Sequence, residues 1–285
     1  MFGPDHPRTL KILYDLGQVL IDQGRYKSAE EVMRRVLHSC QRIEGNEGPN
    51  TLHSLDNLGV ILRIQGGYES AAKVHRRTLA SRNMILGPDH PLTMASQEHL
   101  AIASDSLGNS EDALRMHREV MAWREKILGE EHEDTLLSKS HIASILGEQG
   151  KHAVAEHMKR EVLVACIEVL GKEHLQTLAT MNTLARTFSM QGKYPEAEHM
   201  HREVLSTSQK VLGKEHPSTL TSMDNLAITY HHQGRWTEAQ QLLVQVVEAR
   251  MRVLGEDHPR TKNSLESLEL CLRESVHNSM FNNAS

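Results

Sequence analysis

One phrase recurs through this chain without ever slipping its register. Gly, two variable positions, His, Pro, one variable position, Thr and Leu begin at Gly3, Gly45, Gly87, Gly129, Gly171, Gly213 and Gly255, each start 42 residues after the last. A fixed period of this size marks an array of stacked units and outranks local propensity in deciding the architecture. A second marker keeps the same step: Gly24, Gly66, Gly108, Gly150, Gly192 and Gly234, followed two residues later by Tyr26, Tyr68, Tyr194 or Trp236 in four of the units. An alanine then opens the next segment (Ala29, Ala71, Ala113, Ala155, Ala197, Ala239). Each unit therefore holds two breakers and two segments.

Both segments read as helices. The first opens at His-Pro, and proline suits the first helical position because its missing N–H has no intrahelical partner there. Apolar or small residues follow at helical spacing, Leu10, Leu13, Leu16, Gly17 and Leu20 in the first unit and Leu220, Met223, Leu226, Ala227 and Tyr230 in the sixth. After the central leucine comes a Gly or Ala in every full unit, so a neighbouring helix can approach closely. The second segment runs from about Tyr26 to Glu44, with Ala29, Val32, Met33, Val36, Leu37 and Ile43 on its apolar stripe. No stretch alternates with a period of two for long, which excludes a propeller of similar period. Aromatics at 4% against 39% hydrophobic residues also favour aliphatic helix packing. The expectation is an all-α, α-solenoid fold of helix-turn-helix units, each burying its stripe on the next.

The units are expected at residues 3–44, 45–86, 87–128, 129–170, 171–212 and 213–254 of a single repeat domain. A capping helix over 255–276 and a loose tail over 277–285 would follow. From the second unit on, an aliphatic pair such as Ile85-Leu86 or Val211-Leu212 closes the second helix; at the start Met1-Phe2 stands in that place. The N-terminal end therefore reads as a bare cross-section and the first helix pair as the least stable. At the other end Glu269 replaces the constant Gly or Ala, so no second helix is expected to pack closely there.

Charge and composition narrow the function. A net charge of −5 gives no basic surface for nucleic acid. No apolar run approaches the roughly 20 residues of a membrane span, and Met1-Phe2-Gly3-Pro4 lacks the apolar stretch of a signal peptide. Cys40, Cys166 and Cys271 are few, odd in number and far apart, unlike a disulfide framework or a zinc pattern. These features point to a cytoplasmic, mostly monomeric and elongated protein, with end-to-end self-association at high concentration.

The Leu-Gly-x-x-His-Pro phrase, the small residue after leucine, the Gly-x-Tyr turn and the alanine opening the second helix resemble the tetratricopeptide repeat. The 42-residue unit is similar to the long repeats of kinesin light chains, as in Leu212-Gly213-Lys214-Glu215-His216-Pro217-Ser218-Thr219-Leu220 with Asp224-Asn225-Leu226-Ala227 after it. The same type occurs at the C-terminal end of fungal and bacterial NTPase receptors. The resemblance implies a right-handed solenoid that binds a peptide or protein partner along the concave face of its first helices. Its alternative is a structural, sensor or autoinhibitory arm of a larger receptor-type NTPase. The units depart from the phrase at Gly48, Glu133 and Leu175; the kinesin heptad segment and a Gly-rich phosphate loop are both missing from this sequence.

On that face the candidate partner-binding residues are Tyr14, Gln18, Asp56, Asn57, Val60, Glu98, Ile102, Asn182, Arg186, Asp224, Asn225 and Ile228. The aliphatic members would leave apolar surface of the kind that marks interaction sites. Asp56, Glu98 and Asp224 would add negative charge, with Arg186 as the main cation. The asparagines both donate and accept, which suits a peptide backbone.

No catalytic constellation stands out, so no enzymatic activity, cofactor or metal is expected. Of the nineteen histidines, six belong to the repeat phrase and read as caps or loop residues: His6, His90, His132, His174, His216 and His258. His75, His117 and His201 recur at one position of the second helix. The best metal candidate, His99 with His141, sits on adjacent repeats too far apart for bonds of about 2 Å.

Overall fold

The repeat phrase acquires a physical meaning in the computed structural model, which describes residue 3 and residues 5–282. Thirteen helices are present among the described residues, and no strand. They are α1 (Pro7–Asp22), α2 (Tyr26–Glu44), α3 (Pro49–Ile64), α4 (Tyr68–Leu86), α5 (Pro91–Ser106), α6 (Ser110–Leu128), α7 (Glu133–Glu148), α8 (His152–Leu170), α9 (Leu175–Met190), α10 (Tyr194–Leu212), α11 (Pro217–His232), α12 (Trp236–Val253) and α13 (Pro259–Asn282). Odd-numbered helices are the first of each pair.

The connection from an even helix to the next odd one is built from three positions of the phrase. Gly87, with φ 88° and ψ 165°, ends α4 in backbone space that a Cβ would not tolerate, and its counterparts share that conformation. Six residues later a buried threonine donates its hydroxyl back to the glycine carbonyl, at 2.8–2.9 Å in Thr51, Thr93, Thr135, Thr177, Thr219 and Thr261. Between them the histidine caps the new helix. The N–H groups of Arg8, Leu92, Asp134, Gln176, Ser218 and Arg260 donate to Nδ1 of His6, His90, His132, His174, His216 and His258 at 3.1–3.3 Å. Where Gly48 replaces the histidine, Glu44 supplies the acceptor instead, taking the Thr51 N–H at 2.7 Å.

The chain divides into two compact units, residues 1–128 and 129–285, where the sequence reads as a single repeat domain. In the first, α1 to α6 pack each on the next, and α3 also touches α5. In the second, α7 to α13 do the same, with further contacts of α7 to α9, α9 to α11 and α11 to α13. The stripes lie where the periodicity puts them: Leu58, Leu184 and Leu226 are buried, as are Ala101, Ala143, Ala185 and Ala227. Sixteen residues after each small residue the partner helix carries a buried side chain, in turn Met33, His75, His117, Lys159, His201 and Leu243, and Met33 and His75 face Gly17 and Gly59 directly. A Cβ on Gly59 would come within 2.5 Å of the His75 ring, so this pair is closely fitted.

Three expectations need correction. Leu16, placed on the core stripe, is 43% exposed although its equivalent Leu58 is buried. Leu58 packs against the side chains of α2, which precedes it; no helix precedes α1 among the described residues. Ile43, placed on the apolar stripe, also faces outward, as do the pairs Ile85-Leu86 and Ile127-Leu128 that end α4 and α6. Their position at the last turn carries them past the neighbouring helix. Finally, α13 continues to Asn282 rather than ending at 276. No glycine or proline follows Pro259 to break it, and only residues 283–285 of the predicted tail lie outside the described residues.

Candidate partner-binding groove

In the second unit the faces of α7, α9 and α11 open on a cavity of about 550 Å³. Ser140, Asn182, Thr183, Arg186, Asn225 and Arg260 bring polar atoms to it, and Leu137, Leu178 and Ala179 contribute apolar wall. In the first unit, Leu10, Lys11, Tyr14, Cys40 and His53 help line a second cavity of about 490 Å³.

Arg186 is exposed and pairs with Glu148 at 2.9 Å across α7 and α9. Asn225 is half-buried and lines the larger cavity, and its side-chain amide makes no hydrogen bond among the described residues. Ile228 is exposed beside it, while Val60 and Ile102 are half-buried. Gln18 is exposed on α1. Tyr14 stacks on His53 with centroids 5.1 Å apart, and its hydroxyl lies 2.8 Å from His53 Nε2.

The asparagines and acids behave differently from the sequence expectation. Asn182 donates to Ser222 Oγ at 2.8 Å and lies 3.2 Å from His201 Nδ1 through its oxygen. Asn57 donates to the Tyr14 hydroxyl and the His53 carbonyl. Both amides are spent on the fold. Asp56 and Glu98 are buried and Asp224 nearly so, each facing an arginine of the second helix of its own pair: Arg82, Arg124 and Arg250. Arg124 holds Glu98 with two parallel bonds, the Nη2–Oε2 one at 2.7 Å. Arg82 and Arg250 also reach a serine of the next helix, Ser96 and Ser264, and those serines donate back to Asp56 and Asp224 at 3.0 and 3.1 Å. These carboxylates are therefore neutralised from behind and add no free negative charge to the surface. Burial opposes the ionisation of Asp56, but the His75 hydrogen bond, the nearby His99 imidazole and the Arg82 charge outweigh it and hold its carboxyl well below the usual range.

The missed signal was present in the sequence as a pairing rule. At the position of Asp56 the units carry Tyr14, Asp56, Glu98, Ser140, Asn182 and Asp224; 26 residues later they carry Cys40, Arg82, Arg124, Cys166, Ser208 and Arg250. Arginine occurs only where the first residue is acidic.

The tetratricopeptide repeat model matches residues 19–84, 51–126, 134–210, 191–252 and 224–275. The chain belongs to the tetratricopeptide repeat family. Among solved structures, this repeat array is similar to a single-substitution variant of the nearly identical TPR-like repeats of a kinesin light chain-like protein from Podosopora anserina, with 30% identity over 70% of this chain and 95% of that one and a TM-score of 0.54. BtubC from P. vanneervenii is 18% identical over 82% of this chain and 91% of its own, at TM-score 0.55. NprR in complex with its cognate peptide NprX is 15% identical over 97% of this chain and 74% of its own, at TM-score 0.70. At these identities BtubC and NprR show the shared fold. No curated protein matched the sequence. Among the described residues of this tetratricopeptide array, no helix is long and apolar enough to cross a membrane.

Proposed function

We propose that this tetratricopeptide repeat chain is a protein-interaction scaffold that takes a peptide segment on the α7–α9–α11 face. The observation that carries the reading is the cavity lined by Arg186, Asn225, Thr183 and Leu137. It combines an apolar wall, a cation and an uncommitted amide, the mixture through which small or extended ligands are oriented in a concave site. The same fold holds a peptide in the NprR–NprX structure, which makes a peptide the natural occupant. Of the groove candidates on this face, Arg186, Asn225 and Ile228 remain available to a ligand. Asp56, Glu98 and Asp224 act on folding.

A displayed random-peptide library, selected on the wild-type chain, tests this. Selected peptides should lose at least tenfold in affinity for an Arg186→Glu, Asn225→Leu variant of unchanged circular dichroism. Peptides that bind both proteins equally would place recognition elsewhere.

A further inference from the structure

Asp56, His75 and His99 come from three successive helices, α3, α4 and α5, and converge on one point. One donor atom from each lies within 4.8 Å of the other two. Asp56 Oδ1 is 3.2 Å from His75 Nδ1 and 3.9 Å from His99 Nδ1. The carboxylate is divided between two tasks: Oδ2 is taken by Arg82 and Ser96, and Oδ1 faces the two imidazoles.

The second unit supplies the comparison that separates these tasks. Asp224, Arg250 and Ser264 form the same acid–arginine–serine arrangement, yet Leu243 and Ser267 occupy the places of His75 and His99. The arrangement thus forms without any histidine, and the two imidazoles at Asp56 need a separate reason. His75 is fully buried and its Nε2 has no hydrogen-bond partner. The buried His99 Nδ1 has none either. Two imidazoles turned toward one carboxylate oxygen that no arginine or serine occupies form a donor set for a cation.

We infer that Asp56, His75 and His99 form a binding site for a divalent transition-metal ion of the zinc class, ligated through Oδ1 and the two Nδ1 atoms. Imidazole and carboxylate together suit zinc, cobalt and nickel. With bonds of about 2.0–2.2 Å, ligand atoms in a tetrahedral site stand about 3.4 Å apart. The Asp56–His75 pair already meets that spacing, and His99 must approach Asp56 by roughly half an ångström. It has room to do so, since its side chain is 32% exposed while His75 is sealed. The same opening gives the ion its path and leaves a coordination position for water. Arg82 and Ser96 fix the carboxylate from its far oxygen, as outer partners of metal ligands do. The guanidinium charge lowers the affinity below that of an all-ligand structural zinc site. Burial favours the neutral form of His75, which is the ligating one.

The test uses the full chain stripped with chelator and titrated with zinc in a calorimeter and with cobalt(II) in a spectrophotometer. Wild type should bind one ion per chain and give the visible cobalt bands of a nitrogen- and oxygen-ligated, four- or five-coordinate site. His99→Ala should weaken zinc by about 100-fold or more, at least the loss seen when outer partners of metal ligands are removed, and abolish the bands. His157→Ala, at an exposed histidine of α8, should leave both unchanged. If wild type shows no such bands, or if His99→Ala binds as wild type does, the site does not exist. The wild-type cobalt spectrum decides the matter even if a variant folds poorly.

Discussion

Single buried groups carry most of the energetic risk in this array. Arg82 is nearly inaccessible and is the one arginine or lysine bonded to the buried Asp56 among the described residues. Arg82→Met should therefore cost about 3–5 kcal/mol, the usual result of leaving one member of a buried pair unmatched. Adding Asp56→Asn should recover part of that loss, and urea denaturation of the two single variants and the double measures the coupling. Charge reversal at Asp56 or Asp224 would report on folding before it reported on recognition. His201 makes a pH prediction. Burial pushes its imidazole down to about 4, whereas an unfolded histidine titrates near 6.5. Between those values the unfolded chain binds more protons, so the contribution is complete above about pH 6.5 and is lost as pH falls toward 4, by on the order of 3 kcal/mol. His201→Leu, copying Leu243, should flatten the slope between pH 7 and pH 5 in urea titrations. If the slope is unchanged, the titrating group lies elsewhere. The acid–arginine rule behind these pairs was readable in the chain, because the partners are 26 residues apart in every charged unit. Reading each helix face by itself concealed it: Asp56 and Asp224 look solvent-facing until the opposing helix is considered.

At the level of the helix, the repeat phrase was almost fully legible, since each of its residues does local work. Glycine ends a helix, threonine ties the turn to it, and histidine and proline start the next. His216→Ala should cost about 1 kcal/mol, the typical value of a lost N-cap, while His216→Asp should retain most of it; thermal melts of both variants check this. What periodicity could not supply was the world outside each helix. Leu16 and Leu58 occupy the same phase of the same pattern, yet only Leu58 has α2 behind it. For the same reason Ile43 looked like core and projects outward. The first-helix faces were legible as sets of positions, but which amides were free was not: Asn57 and Asn225 hold the same place in their units, and only Asn57 meets a Tyr14 hydroxyl.

Across the whole chain, protection should follow coverage. Helix α1 exposes Ile12, Leu16 and Val19, whereas α9 buries Leu178, Met181, Leu184 and Phe188. Amide exchange followed by mass spectrometry should therefore show α1 opening at lower free energy than α9, in keeping with sub-global unfolding of poorly covered elements. Equal protection of residues 7–22 and 175–190 would contradict this. The acid–arginine arrangement has one more consequence. Asp56 and Arg82 lie inside one 42-residue period, so a gene rearrangement that duplicates or deletes a whole period moves both together. From the following period Arg82 and Arg250 take a backbone carbonyl, which any residue supplies, and a hydroxyl, and Ser54, Ser96, Ser138, Thr180, Ser222 and Ser264 place one at that position every time. The charged and neutral periods share a universal socket. An in-frame deletion of residues 171–212 should leave a chain that still melts cooperatively, and lineages carrying this array are free to vary its length by unequal exchange without stranding a buried charge.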